Sequence, residues 1–185
     1  GGALSDTLSG GSGNDVLNGG TGGADRISGG GGYDTWVMNL SASTLAHQLS
    51  LDASGAGVLS NNGTSMTSIE NVQLNTGSGN DVIDLSASTG NHVLSTGAGN
   101  DLMNLGQGLH HSVNGEAGND TLVGSAAMSD MGVKSGYLYN GWYSLRSSSG
   151  SFNLDYYGVE QFDLTGSAYS DNIYGDGGND TLRGA

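Results

Sequence analysis

Small polar residues dominate the chain, and its apolar residues fall at a regular interval. Aligned on aspartate, a nine-residue unit recurs at 1 to 9 (GGALSDTLS), 10 to 18 (GGSGNDVLN), 20 to 28 (GTGGADRIS) and 29 to 37 (GGGGYDTWV). It returns at 76 to 84, 96 to 104 and 115 to 123, and again at 166 to 174 and 175 to 183. In every unit Asp holds the sixth place and an apolar residue the eighth: Leu8, Leu17, Ile27, Trp36, Ile83, Met103, Leu122, Ile173 and Leu182. The Gly-rich first five residues suit a tight turn, and the last three suit a short strand whose middle side chain faces inward. Two units then make one coil of a solenoid, and stacked coils bury the apolar residues between two parallel sheets.

The middle set shows the coil directly. Asp81, Asp101 and Asp120 are 20 and 19 residues apart, while apolar residues recur about every ten (Ile83, Val93, Met103, Val113, Leu122). One side of each coil therefore carries an acidic turn and the other a plain polar one, SASTGN (86 to 91) or GQGLHH (106 to 111). The pattern divides the chain into a first repeat array (1–37), a β-rich insertion (38–75), a second array (76–123), an aromatic β-hairpin insertion (124–165) and a third, truncated array (166–185). Both insertions end alike, in SIENVQLNTG and GVEQFDLTG, with alternation that argues strand. Asn140 and Gly141, flanked by alternating aromatics, signal a hairpin. No long helix is expected; residues 41–49 suit a short one. The expected class is all-β, a parallel β-roll with two short parallel sheets and two β-rich insertions.

Composition sharpens this picture. The 185 residues include 36 Gly, no Pro and no Cys, which excludes a disulfide scaffold; the absence of a Gly at every third place excludes collagen. Eighteen acidic residues face four basic ones, Arg26, Lys134, Arg146 and Arg183, for a net charge of −14. Nucleic acid is thereby disfavoured as a partner and cations are favoured. No apolar run approaches the roughly 20 residues of a membrane span. The chain begins at Gly1 and reads as an excised segment of something longer.

Half of the acid is the nine sixth-place residues: Asp6, Asp15, Asp25, Asp34, Asp81, Asp101, Asp120, Asp171 and Asp180. The turns offer only oxygen ligands, carboxylates and glycine carbonyls, a donor set that suits Ca²⁺ better than Zn²⁺ or Mg²⁺. Stacking pairs Asp6 with Asp25, Asp15 with Asp34, Asp81 with Asp101 and Asp101 with Asp120, each pair one strand spacing apart. Asp84 recurs as Asn104 and Val123 and so lies outside the ion motif.

The unit resembles the Gly-Gly-x-Gly-x-Asp-x-apolar-x repeat of the RTX (repeats in toxin) family, and the resemblance covers all nine units. It implies several calcium ions held by the sixth-place Asp and by carbonyls of early glycines: Gly11, Gly13, Gly23, Gly30, Gly32, Gly77, Gly79, Gly97, Gly99, Gly118 and Gly178. It also implies a setting, export by type I secretion followed by folding outside the cell. Leu4 and Tyr169 replace the fourth-place Gly, and Glu116 and Asp176 the second, so the turns of Asp6 and Asp171 are expected to bind weakly. Asp171 and Asp180, on consecutive turns, lack later partners.

Other candidates are weaker. His92 and His111, 19 residues apart, suggest neighbours and a conceivable transition-metal site, though surface exposure is the expected state of His92, His110 and His111. Tyr139, Trp142, Tyr143 and Tyr157 suit either a sugar or plain cross-strand packing. No HExxH, GxSxG or P-loop motif is present, so an enzyme is not expected in this segment. The expected function is a calcium-binding structural or adhesive module of a large secreted or surface bacterial protein. Its alternatives are the accessory module of a secreted protease, lipase or polysaccharide epimerase, or a carbohydrate-binding module. Expected partners are calcium, a cell-surface glycan or neighbouring protomers.

Overall fold

The computed structural model describes residues 2–127, 129, 132–137, 140–175 and 177–185. Two sheets of mainly parallel strands face each other, one of ten strands and one of eight, and successive strands alternate between them along most of the chain. The ten-stranded sheet runs from Thr7–Ser12 and Arg26–Gly31 through Val82–Asp84, Leu102–Asn104, Thr121–Ser125 and Gln161–Thr165 to Thr181–Arg183. The eight-stranded sheet carries Val16–Leu17, Thr35–Asn39, Asn71–Asn75, His92–Ser95, His110–Asn114 and Asn153–Tyr157. Six of the nine eighth-place residues are buried, with Trp36, Ile83, Met103 and Leu122 fully so. Leu8 and Ile173 are partly buried at the margins, and Leu182, on the last strand, is 39% exposed.

Each insertion is a three-stranded meander that widens one sheet by two strands. In the first, Gln48–Leu51, Gly57–Leu59 and Ser65–Thr67 run antiparallel to one another within the ten-stranded sheet. The last strand lies parallel to Arg26–Gly31, and the first receives the next coil, Val82–Asp84. The second insertion repeats this device in the opposite sheet. Val133–Tyr137, Tyr143–Ser147 and Asn153–Tyr157 are antiparallel, the last beside His110–Asn114, and Lys134 bridges Asn172 of the following coil. The chain thus jumps two strand positions ahead, folds back, and resumes coiling. That return explains why both insertions end with the same pattern.

The hairpin expected at Asn140 and Gly141 is present: both adopt positive φ (50° and 86°), and Tyr137 pairs with Tyr143. The short helix expected at residues 41–49 is absent. Leu45 N–H turns back to Ser43 Oγ, His47 N–H goes to Asp81 of the next coil, and Gln48 opens a strand, so the segment commits its backbone to neighbours rather than to itself.

Coils approach so closely that glycine is required on the turns. A Cβ on Gly90 would overlap the carbonyl of Glu70, and one on Gly97 would overlap that of Gly77. Gly31, by contrast, has open space around it. Gly90→Ala is expected to cost about 2 kcal/mol by forcing neighbouring coils apart, while Gly31→Ala stays within about 0.5 kcal/mol. Chemical denaturation in saturating calcium checks both; equal effects would contradict this account of coil contact.

Candidate metal centre

The sixth-place aspartates stack in two columns, one along each sheet, and a repeated hydrogen bond fixes each column. The backbone N–H of one Asp donates to Oδ1 of the Asp on the following coil: Asp6 to Asp25 (2.9 Å), Asp15 to Asp34 (2.9 Å), Asp81 to Asp101 (2.7 Å) and Asp101 to Asp120 (2.9 Å). All four pairings expected from the spacing are therefore made. The fifth-place residue stitches in the opposite sense. Oδ1 of Asn14, Asn80 and Asn100 accepts the N–H of Tyr33, Asn100 and Asn119 respectively, each on the next coil. Adjacent residues thus clamp each coil to its neighbour in both directions, a role for the Asn that its recurrence signalled but spacing alone did not explain.

The carboxylates use only one oxygen in this way. Oδ2 of Asp15, Asp25, Asp34, Asp81, Asp101 and Asp120 is buried and has no hydrogen-bond partner. Five of these residues are at most 2% exposed: Asp25, Asp34, Asp81, Asp101 and Asp120. An unpaired buried carboxylate oxygen is costly, and here the cost recurs along each column. Burial raises the Asp101 carboxyl above the usual carboxylate range. It pushes Asp120 up to about 7, with Asp101 and Glu160 adding like charge.

Glycines shape the space around these oxygens. The carbonyls of Gly11, Gly13, Gly77, Gly79 and Gly99 point at Gly30, Gly32, Gly97, Gly99 and Gly118 on the next coil, where any Cβ would overlap them. The Gly77 and Gly97 carbonyls also accept the N–H of Ala98 (2.8 Å) and Ala117 (2.9 Å), each keeping a second lone pair. Gly23 packs on Leu4 and Ser5, and Gly178 on the Glu160 carbonyl. A further glycine, at or beside the first place, was not among the expected ligands. A Cβ on Gly10, Gly19, Gly29 or Gly115 would strike the carboxylate of Asp15, Asp25, Asp34 or Asp120, so this glycine lets the side chain fold back over its own turn. Buried unpaired carboxylate oxygens, flanked by stacked glycine carbonyls, fit a hard cation with an all-oxygen shell.

The column ends are closed by other groups. Glu70 Oε2 accepts Asp34 N–H (2.7 Å) and Glu160 Oε2 accepts Asp120 N–H (2.9 Å), so the Glu shared by both insertions continues a column. Thr64 Oγ1 ends another by taking Asp25 N–H (3.3 Å). Asp6 Oδ2 accepts Gly2 N–H (2.8 Å). Asp171 is satisfied by its own turn and by the strand Val133–Tyr137: its oxygens accept Ser167 N–H (2.9 Å), Ser167 Oγ–H (2.7 Å) and Val133 N–H (2.9 Å). Asp180 Oδ1 takes Phe162 N–H (3.0 Å), two residues out of register with Glu160. Asp84 Oδ1 accepts Ser86 N–H (3.1 Å). Asp176 and Tyr139 lie outside the described residues.

On the side without acidic turns, His92 and His111 are not surface residues. They are 0% and 4% exposed, and their rings stack 5.3 Å apart. His92 Nδ1 accepts Val72 N–H (3.2 Å), His111 Nδ1 accepts His92 N–H (3.3 Å), and His111 Nε2–H donates to the Gly108 carbonyl (3.0 Å). Each ring thus does the work of Asp Oδ1 while carrying its own proton on Nε2. Both Nδ1 atoms are engaged by backbone N–H, and among the described residues no third His, Cys, Asp or Glu joins the pair to form a metal-ligating group, which argues against the transition-metal reading; His92 Nε2 is buried without a hydrogen-bond partner, and His110 is exposed. Among the aromatics, Trp142 stacks on Tyr157 and Tyr143 on Tyr156, each at 5.8 Å, while Tyr157 stays 38% exposed.

An all-β solenoid with columns of buried carboxylates and glycine carbonyls in its turns is a cation-binding β-roll. The RTX calcium-binding nonapeptide repeat model matches in four copies, over residues 1–35, 76–108, 112–127 and 163–185, more than half of the chain, and the chain belongs to this calcium-binding family. No curated protein matches it.

The histidine pair has a consequence for acid stability. Burial lowers His92 to about 3 and His111 to about 4, whereas an unfolded His titrates near its ordinary value of about 6.5. The stability these rings contribute is complete above pH 6.5 and is lost as pH falls toward 4, because the unfolded chain takes up two protons that the folded chain refuses. At pH 5 the pair accounts for on the order of 4 kcal/mol. In saturating calcium the denaturation midpoint is expected to drop between pH 6.5 and 4.5, and His92→Leu with His111→Leu should flatten that drop; an unaltered pH profile would contradict it.

Proposed function

We propose that Oδ2 of Asp15, Asp25, Asp34, Asp81, Asp101 and Asp120, together with glycine carbonyls of the facing turns, holds Ca²⁺ between successive coils. On this reading the chain is a structural module that folds in response to calcium. The single observation that supports it is the series of buried, unpaired Oδ2 atoms. Bound calcium would supply the positive charge and the oxygen coordination that these atoms lack. Asp81, Asp101 and Asp120 form the longest run, with Glu160 continuing it, and would hold ions in adjacent positions. Gly13, Gly32, Gly79, Gly99 and Gly118 would bring backbone oxygen close to them. Asp6, Asp171 and Asp180 would contribute least, since their oxygens are already engaged by Gly2, Ser167 or Phe162 or lie out of column.

The role extends to the setting. The parent is a large secreted bacterial protein, exported expanded through type I secretion and compacted in calcium-rich surroundings outside the cell, with this segment as a structural or adhesive spacer. A net charge of −14 supports this order of events, because self-repulsion keeps the ion-free chain open until cations arrive.

Circular dichroism during calcium titration tests the reading. Weak β signal in chelator is expected, with a cooperative gain on adding Ca²⁺ and much less on adding Mg²⁺. Asp101→Asn, in the middle of the longest run, should shift the calcium midpoint upward about tenfold or more, and Asp171→Asn should leave it within about twofold. A spectrum indifferent to calcium, or equal shifts in the two variants, would overturn the assignment.

A further inference from the structure

We propose that the outward face of the eight-stranded sheet is a docking surface for an extended, uncharged polysaccharide. The strands Thr35–Asn39, Asn71–Asn75, His92–Ser95, His110–Asn114 and Asn153–Tyr157 lie side by side and parallel. Their inward positions bury residues such as Met38, Leu74, Leu94 and Val113. One row of alternate positions presents Asn39, Asn75, Ser95, Asn114 and Tyr157 in register, and the next sets the half-exposed Val93 between Gln73 and Ser112.

Charge identifies the occupant. The chain has 18 acidic residues, yet among the outward positions of these five strands Asp155 is the sole acid. Arg146 neutralises it at 2.9 Å. Lys134 pairs in register with Arg146 at the same end of the sheet, so two of the chain's four basic residues lie there. Glu116 borders the row, its carboxylate accepting the Ser95 hydroxyl; elsewhere, on a molecule of net charge −14, this face is uncharged, which suits a partner recognised by hydroxyls rather than by charge. Two bases are too few to hold a nucleic acid, and the face lacks the contiguous apolar surface of a lipid or obligate protein contact.

Geometry and preorganisation agree. Parallel strands repeat every ~4.8 Å, and the hexoses of an extended glycan follow one another at a similar interval, so successive strands meet successive sugars. Oδ1 of Asn39 and of Asn114 is held by the N–H of Ser41 (3.0 Å) and of Glu116 (3.1 Å), which fixes these amides before any ligand arrives. At the end of the row the Tyr157 ring, 38% exposed, stacks with Trp142 and offers the flat apolar surface on which sugar rings rest. The site expected at the aromatic hairpin alone becomes the rim of a longer platform.

The inference needs the coils assembled and so rests on the calcium reading, but its test is separate. The full chain in saturating calcium is titrated with cello-, xylo- and mannohexaose, followed by calorimetry and by tryptophan fluorescence, which reports Trp142 because Trp36 is buried. At least one hexaose should bind, its trisaccharide about tenfold more weakly, with little dependence on salt. Gln73→Glu with Asn75→Asp, which places two charges in the platform at nearly constant shape, should abolish binding, and Trp142→Ala should weaken it about tenfold. Both variants should keep the wild-type dichroism and calcium midpoint, which separates loss of the face from loss of the fold. No binding of any hexaose by the folded protein, unchanged binding in both variants, or a sedimenting dimer that the Gln73→Glu and Asn75→Asp changes dissolve would overturn the proposal, the last by making the face a contact between copies.

Discussion

A parallel solenoid places the same residue of successive units directly above itself, and in this chain that residue is aspartate. The hydrogen bond from one Asp N–H to the next Asp Oδ1 locks each coil at a fixed height, yet it leaves Oδ2 dry and unpaired. Two like charges at the ~4.8 Å strand spacing repel by about 3 kcal/mol at an effective dielectric constant near 20. The feature that sets the register therefore opposes the stack unless the charge is balanced. Other properties follow from that conflict: a small first-place residue, glycine in most units and Thr76 or Thr96 before Asp81 and Asp101, so that the carboxylate can fold back; glycine at the second and fourth so that carbonyls can approach; and an apolar eighth residue to anchor the turn.

Departures from aspartate obey the same logic. His92 and His111 accept a neighbouring N–H as Asp does but remain neutral, so their coils stack without an ion. Ser167 satisfies both oxygens of Asp171, and Thr64 replaces a carboxylate outright. The fold thus combines coils that need cations with coils that do not. The two meanders provide the remaining core, burying Leu49, Leu59 and Met66 in one and Leu145, Phe152 and Leu154 in the other.

The repeat period, the inward eighth residue and the four aspartate pairings were legible in the sequence, because a two-residue strand period and a constant coil length leave one way to stack. The hairpin at Asn140 and Gly141 was legible from its turn chemistry. The strand order inside each insertion was not: SIENVQL and GVEQFDL look alike, but only the backbone shows that each follows a finished meander and resumes coiling in the opposite sheet, the eight-stranded one for SIENVQL and the ten-stranded one for GVEQFDL. The burial of His92 was hidden because its neighbours Gly90 and Asn91 read as solvent-facing. The ladder role of Glu70 and Glu160 was hidden because a longer side chain reaches the same N–H from a different spacing. The first-place glycine was present in seven of the nine units, yet its role beside the carboxylate depends on where that carboxylate turns.

Amide hydrogen exchange at Asp81 and Asp101 probes the carboxylate ladder most directly, since each N–H is donated to the carboxylate of the next coil. Balanced charge is required for the ladder on this account, so both amides should be strongly protected in calcium and exchange near unfolded-chain rates in chelator. Equal protection in the two conditions would show that the column stands without a cation and would contradict the account.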